Sequence, residues 1–180
     1  MEVTTMTETT GPRIYVASLS DYNAGRLHGV WIDATQGADE IQEQVNAMLA
    51  KSPEPVAEEW AIHDYEGFQG VKLSEYESFE QVAAWAENIE EHGEAFAAWV
   101  ANDPGYNTEP EKFQDEYAGT FDTEEAYAEE FVSECGWAGV CPVPDALLPY
   151  LDMEQIARDL FINDVYSVDG TSGVHVFRRM

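Results

Sequence analysis

The chain has 180 residues, 44% of them hydrophobic and 12% aromatic, and sets 36 Asp and Glu against 8 Lys and Arg for a formal net charge of −28. That apolar fraction can build a core, which excludes general disorder. The charge excludes nucleic acid and anionic membrane as direct partners and favours a partner that is itself basic. The length fits one ordinary domain or two to three small ones.

Met1 to Pro12 is polar and Thr-rich and lacks the basic and apolar regions of a signal peptide. It reads as a disordered lead-in covering residues 1–12. No apolar run reaches the roughly 18 residues of a membrane-spanning helix, so the protein is expected to be cytoplasmic. Arg13-Ile14-Tyr15-Val16-Ala17-Ser18 is β-branched and aromatic and predicts a strand. Ser20 to Gly25 is a turn-rich loop, and Leu27 to Ile32 predicts a second strand. Ile41, Val45, Met48 and Leu49 recur at helical spacing, so 38–49 reads as an amphipathic helix ended by Pro53 and Pro55. Glu58 to Tyr65 predicts a third strand. Residues 13–70 thus form an α+β unit with a short antiparallel sheet.

The pattern then changes. From Leu73 to Glu154 there are twenty-one carboxylates and a single base, Lys112. Ser78 sits as an N-cap with Gln81 at the capping-box position. Phe79, Val82, Ala83, Ala86 and Ile89 predict the buried stripe of a helix. Glu80, Glu87, Glu91 and Glu94 fall within about 60° of one another at 100° per residue, as an acidic ridge. His92-Gly93 predicts a bend, and Glu94 to Ala101 a short helix. Pro110 opens a further helix over 109–117. Residues 71–118 therefore read as a central acidic helical domain. Thr123 caps the next helix, with Glu124 and Glu125 in its first turn and Tyr127, Ala128, Phe131, Val132 and Cys135 as its apolar face. After a Gly/Pro-rich connector, Asp145 to Tyr150 reads as a helical turn and Met153 to Phe161 as a helix. Asp164 to Val168 and Gly173 to Phe177 read as a hairpin. Residues 119–180 form a C-terminal α+β domain.

Catalytic signals are weak. There is no Gly-x-Ser-x-Gly elbow, no base tied to Cys135 or Cys141, and no phosphate-binding glycine loop. Asp64 to Glu75 is acidic at both ends but lacks the interior oxygen ligands of an EF-hand, and His28, His63, His92 and His175 stand at no ligand spacing. Cys135 and Cys141 read as two reduced thiols; a disulfide or half a metal site is the alternative. Paired carboxylates at hydrolase distance would arise by chance among so many, and convex helix faces offer them no pocket.

The acidic helices carry two readings. One is a solvated surface, which ordinarily mixes in Lys and Arg for i,i+4 pairs; this chain forgoes them. The other is imitation of a nucleic acid. Duplex DNA carries one charge per about 1.7 Å of axis, and five carboxylates over 124–134 give one per roughly 3 Å along a helix of about 1.5 Å rise per residue. Two such helices would approach the duplex density.

Three runs are more specific than composition. They are Ile14-Tyr15-Val16-Ala17-Ser18-Leu19-Ser20-Asp21-Tyr22-Asn23-Ala24-Gly25-Arg26-Leu27-His28-Gly29-Val30-Trp31, Ala61-Ile62-His63-Asp64-Tyr65-Glu66, and Tyr150-Leu151-Asp152-Met153-Glu154-Gln155-Ile156-Ala157-Arg158-Asp159-Leu160 with Phe177-Arg178 beyond. In this order and spacing they resemble the ArdA family of antirestriction proteins. The central helices match that family in character more than letter by letter.

The resemblance implies an elongated α+β protein of three small domains, carried by mobile genetic elements and dimerising into a bent, DNA-like rod. It implies a DNA mimic that occupies the DNA-binding groove of type I restriction–modification enzymes, against their DNA-recognition and methyltransferase core. No cofactor and no catalysis are implied. Whether modification is blocked along with restriction is left open. The acidic surface would comprise Glu75, Glu77, Glu80, Glu87, Glu90, Glu91, Glu94, Glu109, Glu111, Asp115, Glu116, Asp122, Glu124, Glu125, Glu129, Glu130 and Glu134. The segment preceding the Tyr-Leu-Asp run holds Trp137, Val140, Leu147, Leu148 and Tyr150, either as a dimer contact or packed within the third domain. The Cys135/Cys141 pair with Pro142 and Pro144 departs from the family pattern. A different class of function stands beside this one, an acidic interaction module or chaperone for another basic cytosolic protein.

Overall fold

The computed structural model describes residues 11–134 and 143–180. Cys135, Trp137, Val140 and Cys141 lie outside the described residues. The fold is mixed α+β, as expected. The chain groups into two compact units, Met1–Ala97 and Ala98–Met180, and the division falls inside the segment read from the sequence as a central domain.

The first unit contains β1 (Arg13–Ser18), α1 (Leu19–Asn23), β2 (Gly29–Asp33), a short 3-10 turn (Ala34–Gln36), α2 (Ala38–Leu49), β3 (Trp60–Glu66) and α3 (Phe79–His92). The three strands form an antiparallel sheet in the order β2-β1-β3. The hydrophobic sides of α2 and α3 close its core. Ile14, Val16, Ile32, Ile41, Val45, Val82, Ala86 and Ile89 are buried there, and Trp60 stacks on Phe79 with ring centroids 4.3 Å apart. Pro12, read from the sequence as part of the lead-in, is buried, and its carbonyl accepts a hydrogen bond from Ala34 N at 3.0 Å. The fold therefore already includes this residue, because the buried amide of Ala34, at the start of the 3-10 turn, needs a partner.

The expected loop 20–25 begins as a single helical turn, and a buried carboxylate explains why. Ser18 caps α1 through Asp21 N at 3.3 Å. The Asp21 side chain, fully buried, accepts from Ser52 Oγ at 2.5 Å and from Arg26 Nε at 3.5 Å. Arg26 in turn pairs with Glu54. This network ties α1 to the chain after α2. The Ser52 hydroxyl, helped by Ser18 and Arg26 and opposed by burial, holds the Asp21 carboxyl below the ordinary carboxylate range.

The second unit contains α5 (Pro110–Glu116), β4 (Tyr117–Phe121), α6 (Glu124–Glu134), a 3-10 turn (Leu148–Tyr150), α7 (Met153–Asn163), β5 (Val165–Asp169) and β6 (Val174–Arg178). The boundary between units falls within α4 (Glu94–Asn102). The predicted hairpin is present as β5 and β6, but β6 is the central strand of a sheet ordered β4-β6-β5. The strand β4 was not expected, because Tyr117-Ala118-Gly119-Thr120-Phe121 is short, is broken by glycine, and pairs with a strand some 55 residues later. Alternation along β6 serves two cores. Val176 packs with Tyr127, Ala128, Ala157, Leu160 and Val165. Phe177 faces the other way, within 6.3 Å of Phe113 and 5.2 Å of Tyr166. Gly173 closes the hairpin at φ +90, where an added Cβ would stand 2.1 Å from the Phe121 carbonyl oxygen.

Two outcomes test these assignments. Gly173→Ala should lower stability by about 1–3 kcal/mol through strain and that collision, read as a lower urea midpoint with unchanged slope. Asp21 ionises more readily in the fold than an ordinary aspartate, so its stabilisation is present above about pH 4 and is lost as pH falls through the lowered value. Asp21→Asn should therefore be less stable than the native chain at pH 7, and the gap should close below pH ~4 in a series of melts.

Candidate functional site

The acidic surface begins with helix phase. Ser78 caps α3 by accepting from Gln81 N at 3.2 Å. Phe79, Val82, Trp85, Ala86 and Ile89 form its buried stripe; Trp85 takes the position expected of Ala83, which is half-buried. That stripe turns Glu80, Glu87, Glu90 and Glu91 outward, and all four are exposed. The helix stops at Gly93, whose φ of +62 ends the regular rise. Glu94 opens α4 instead and is half-buried. The expected ridge thus runs on one helix through Glu91 only, because the 100° phase does not carry across a left-handed residue.

In α5, Glu111 and Asp115 are exposed, as is Glu109 before it. Glu116 corrects the expectation. It is only 4% exposed and accepts a hydrogen bond from Trp99 Nε1 at 2.8 Å. The indole needs a buried acceptor, so this carboxylate belongs to the interior and not to the surface. Thr123 caps α6 through Ala126 N at 3.1 Å. Asp122, Glu125, Glu129, Glu130 and Glu134 are exposed, whereas Glu124 is half-buried and accepts from Ser167 Oγ at 2.6 Å. Ahead of α3, Glu75 is exposed and Glu77 half-buried.

Three of the eight bases form ion pairs with carboxylates among the described residues. Arg13 pairs with Glu66, Arg26 with Asp21 and Glu54, and Lys112 with Glu109 at 3.1 Å. Lys112 also lies over the Tyr106 ring at 4.6 Å. Glu80, Glu87, Glu90, Glu111, Asp115, Glu125, Glu129, Glu130 and Glu134 pair with no base among the described residues. Two acids of α3 stand where a helix disfavours them. Glu90 and Glu91 occupy the last turn of α3, where the helix dipole is negative. Local stability does not account for that placement.

Of the expected dimer contact, Trp137 and Val140 fall outside the described residues. Leu147 and Tyr150 are exposed, at 52% and 83%, and Leu148 is half-buried. A groove of about 730 Å³ lies beside them, lined by Glu129, Glu130, Leu148, Leu151 and Met153. Among the described residues, no group of three or more His, Cys, Asp or Glu is placed to hold a metal ion. No described helix is long and apolar enough to cross a membrane.

A family model for the antirestriction protein ArdA matches residues 14–173. The chain belongs to the ArdA family of antirestriction proteins. No curated protein matches it. Membership brings an antirestriction function, that of an inhibitor directed against restriction–modification enzymes. The runs that carry the ArdA resemblance are scaffold. Ser18 to Arg26 builds the Asp21 network, Ala61 and Ile62 fill the first core, and Ala157 and Leu160 fill the second. The buried carboxylates Asp21 and Glu116 were not separable from surface acids in the sequence: Ser18 before Asp21 was a cue, whereas Trp99, the partner of Glu116, stands 17 residues away.

Unpaired carboxylates at this density repel. Raising NaCl from low salt to physiological strength shortens the screening length from about 30 Å to about 8 Å and should raise the melting temperature. Potassium chloride should act equally, since screening does not distinguish the two cations.

Proposed function

We propose that the chain is a DNA mimic that occupies the DNA-binding groove of a type I restriction–modification enzyme, against its DNA-recognition and methyltransferase core. The observation that carries this reading is the set of outward, unpaired carboxylates on helices. They occur in both units, on α3, α5 and α6. Side chains on capped helices are pre-organised, so a partner's Lys and Arg meet them at small ordering cost. Each such contact releases counter-ions from both surfaces, as a contact with phosphate does, and the attraction weakens with salt.

A distributed charge has a signature in mutant series. Exposed ion pairs contribute about 0.2–1 kcal/mol each. Glu80→Gln alone should weaken inhibition by less than about fivefold. Joint replacement of Glu125, Glu129, Glu130 and Glu134 by Gln should weaken it by one to two orders of magnitude if the contributions add. The measurement is displacement of a labelled duplex from the methyltransferase core at several salt concentrations. Displacement should be near-stoichiometric and salt-sensitive. Abolition by Glu80→Gln alone, or equal binding to unrelated basic proteins, would sink the proposal.

A further inference from the structure

The acidic helix α6 follows β4 closely in the chain, and its first turn is held differently from the rest. Tyr127, Ala128 and Val132 are its buried residues, so no buried apolar side chain anchors residues 124–126. Besides the Thr123 cap, two contacts with the β5–β6 hairpin hold this end. Gly173 lies against the backbone just ahead of the helix, where an added Cβ would stand 3.1 Å from Asp122 Cα. The Ser167 hydroxyl donates to Glu124 Oε1 at 2.6 Å, between residues 43 apart in the chain. A hydroxyl on a carboxylate makes one of the short, strong hydrogen bonds.

Strand register and helix phase bring these two side chains together. Ser167 stands directly opposite Val176 in the β5–β6 ladder, and residues so paired share a face of the sheet. Val176 belongs to the core that Tyr127 and Ala128 also fill. Glu124 lies one helical turn before Ala128 and shares its inward side, whereas Glu125 and Glu129 share the outward side and are exposed. Glu124 is thus the acid of α6 that the sheet holds, and the exposed acids follow wherever it fixes the helix.

We propose that Ser167 and Glu124 are positioning residues for inhibition, whose hydrogen bond sets the rotation of α6 and so aims Glu125, Glu129, Glu130 and Glu134 at the partner. The proposal rests on the mimic reading above. Helix side chains end about 5–6 Å from the axis, so a rotation of about 30° carries each carboxylate about 3 Å. That is the length of a hydrogen bond, enough to take an acid out of reach of a base fixed on another protein. A serine without charge and an acid turned inward therefore serve inhibition through the acids they orient.

The test compares Ser167→Ala, Ser167→Thr and Glu124→Gln in the full chain, by amide hydrogen exchange and by displacement of a labelled duplex from the methyltransferase core of a type I enzyme. Ser167→Ala leaves the net charge at −28. It should speed exchange at the amides of Ala126 and Tyr127 about fivefold relative to those of α7. It should weaken inhibition about three- to tenfold and lower its salt dependence, because fewer counter-ions are released per complex. The inhibitor-to-enzyme stoichiometry should stay native, whereas partial unfolding would raise it. Ser167→Thr keeps the hydroxyl and should restore both readouts. Glu124→Gln keeps an acceptor for the serine and should weaken inhibition less than Ser167→Ala does. The proposal is overturned if Ser167→Ala inhibits with native affinity and salt dependence, or if Glu124→Gln is the weaker inhibitor of the two, which would make Glu124 a contact acid. Native exchange at Ala126 and Tyr127 in Ser167→Ala overturns the clamp alone. Full inhibition after joint replacement of Glu125, Glu129, Glu130 and Glu134 by Gln overturns the mimic reading and, with it, the aiming of α6.

Discussion

Repulsion among carboxylates is the condition under which every other part of this molecule has to form. A formal charge of −28 on 180 residues opposes compaction, and among the described residues no Lys or Arg pairs with the outward acids of α3 and α6 to relieve it. Each unit holds together instead through a dense apolar interior. In the first, one face of a three-stranded sheet is closed by the apolar sides of two helices. In the second, a central strand presents Val176 to one core and Phe177 to another. The apolar interior and the polar exterior are thus separated within single helices, residue by residue, by the 3.6-residue period.

Among the described residues two carboxylates cross that division, Asp21 and Glu116, and both are structural. Asp21 is turned inward where hydroxyls and an arginine satisfy it, which converts an exposed loop into an anchored turn. Glu116 receives the indole N–H of Trp99. Buried acids of this kind are tolerated only with donors in place.

The family's recognisable words and its acidic surface divide the labour. The words contribute strands, a helix cap and core residues, among them Ile14, Val16, Asp21, Ile62, Ala157 and Leu160. The acidic helices need only keep their apolar stripe inward and carboxylates outward. This is why the central helices resemble the ArdA family in character more than in letters. A charge pattern spread over several helices depends on density and not on the identity of any one residue.

The sequence alone determined the element types over most of the chain, the helical phase that turns Glu80, Glu87, Glu91, Glu125 and Glu129 outward, and the family. These follow from local periodicity, capping and composition, which need no tertiary context. The tertiary structure decided that Gly93 cuts the ridge short of Glu94, that Tyr117 to Phe121 is a strand, and that Asp21 and Glu116 are interior. Each of these depends on partners far away in the chain or on a backbone conformation that a residue pattern does not encode. Strand β4 exists because β6 offers it an edge, and a glutamate is buried only where a distant tryptophan supplies the proton.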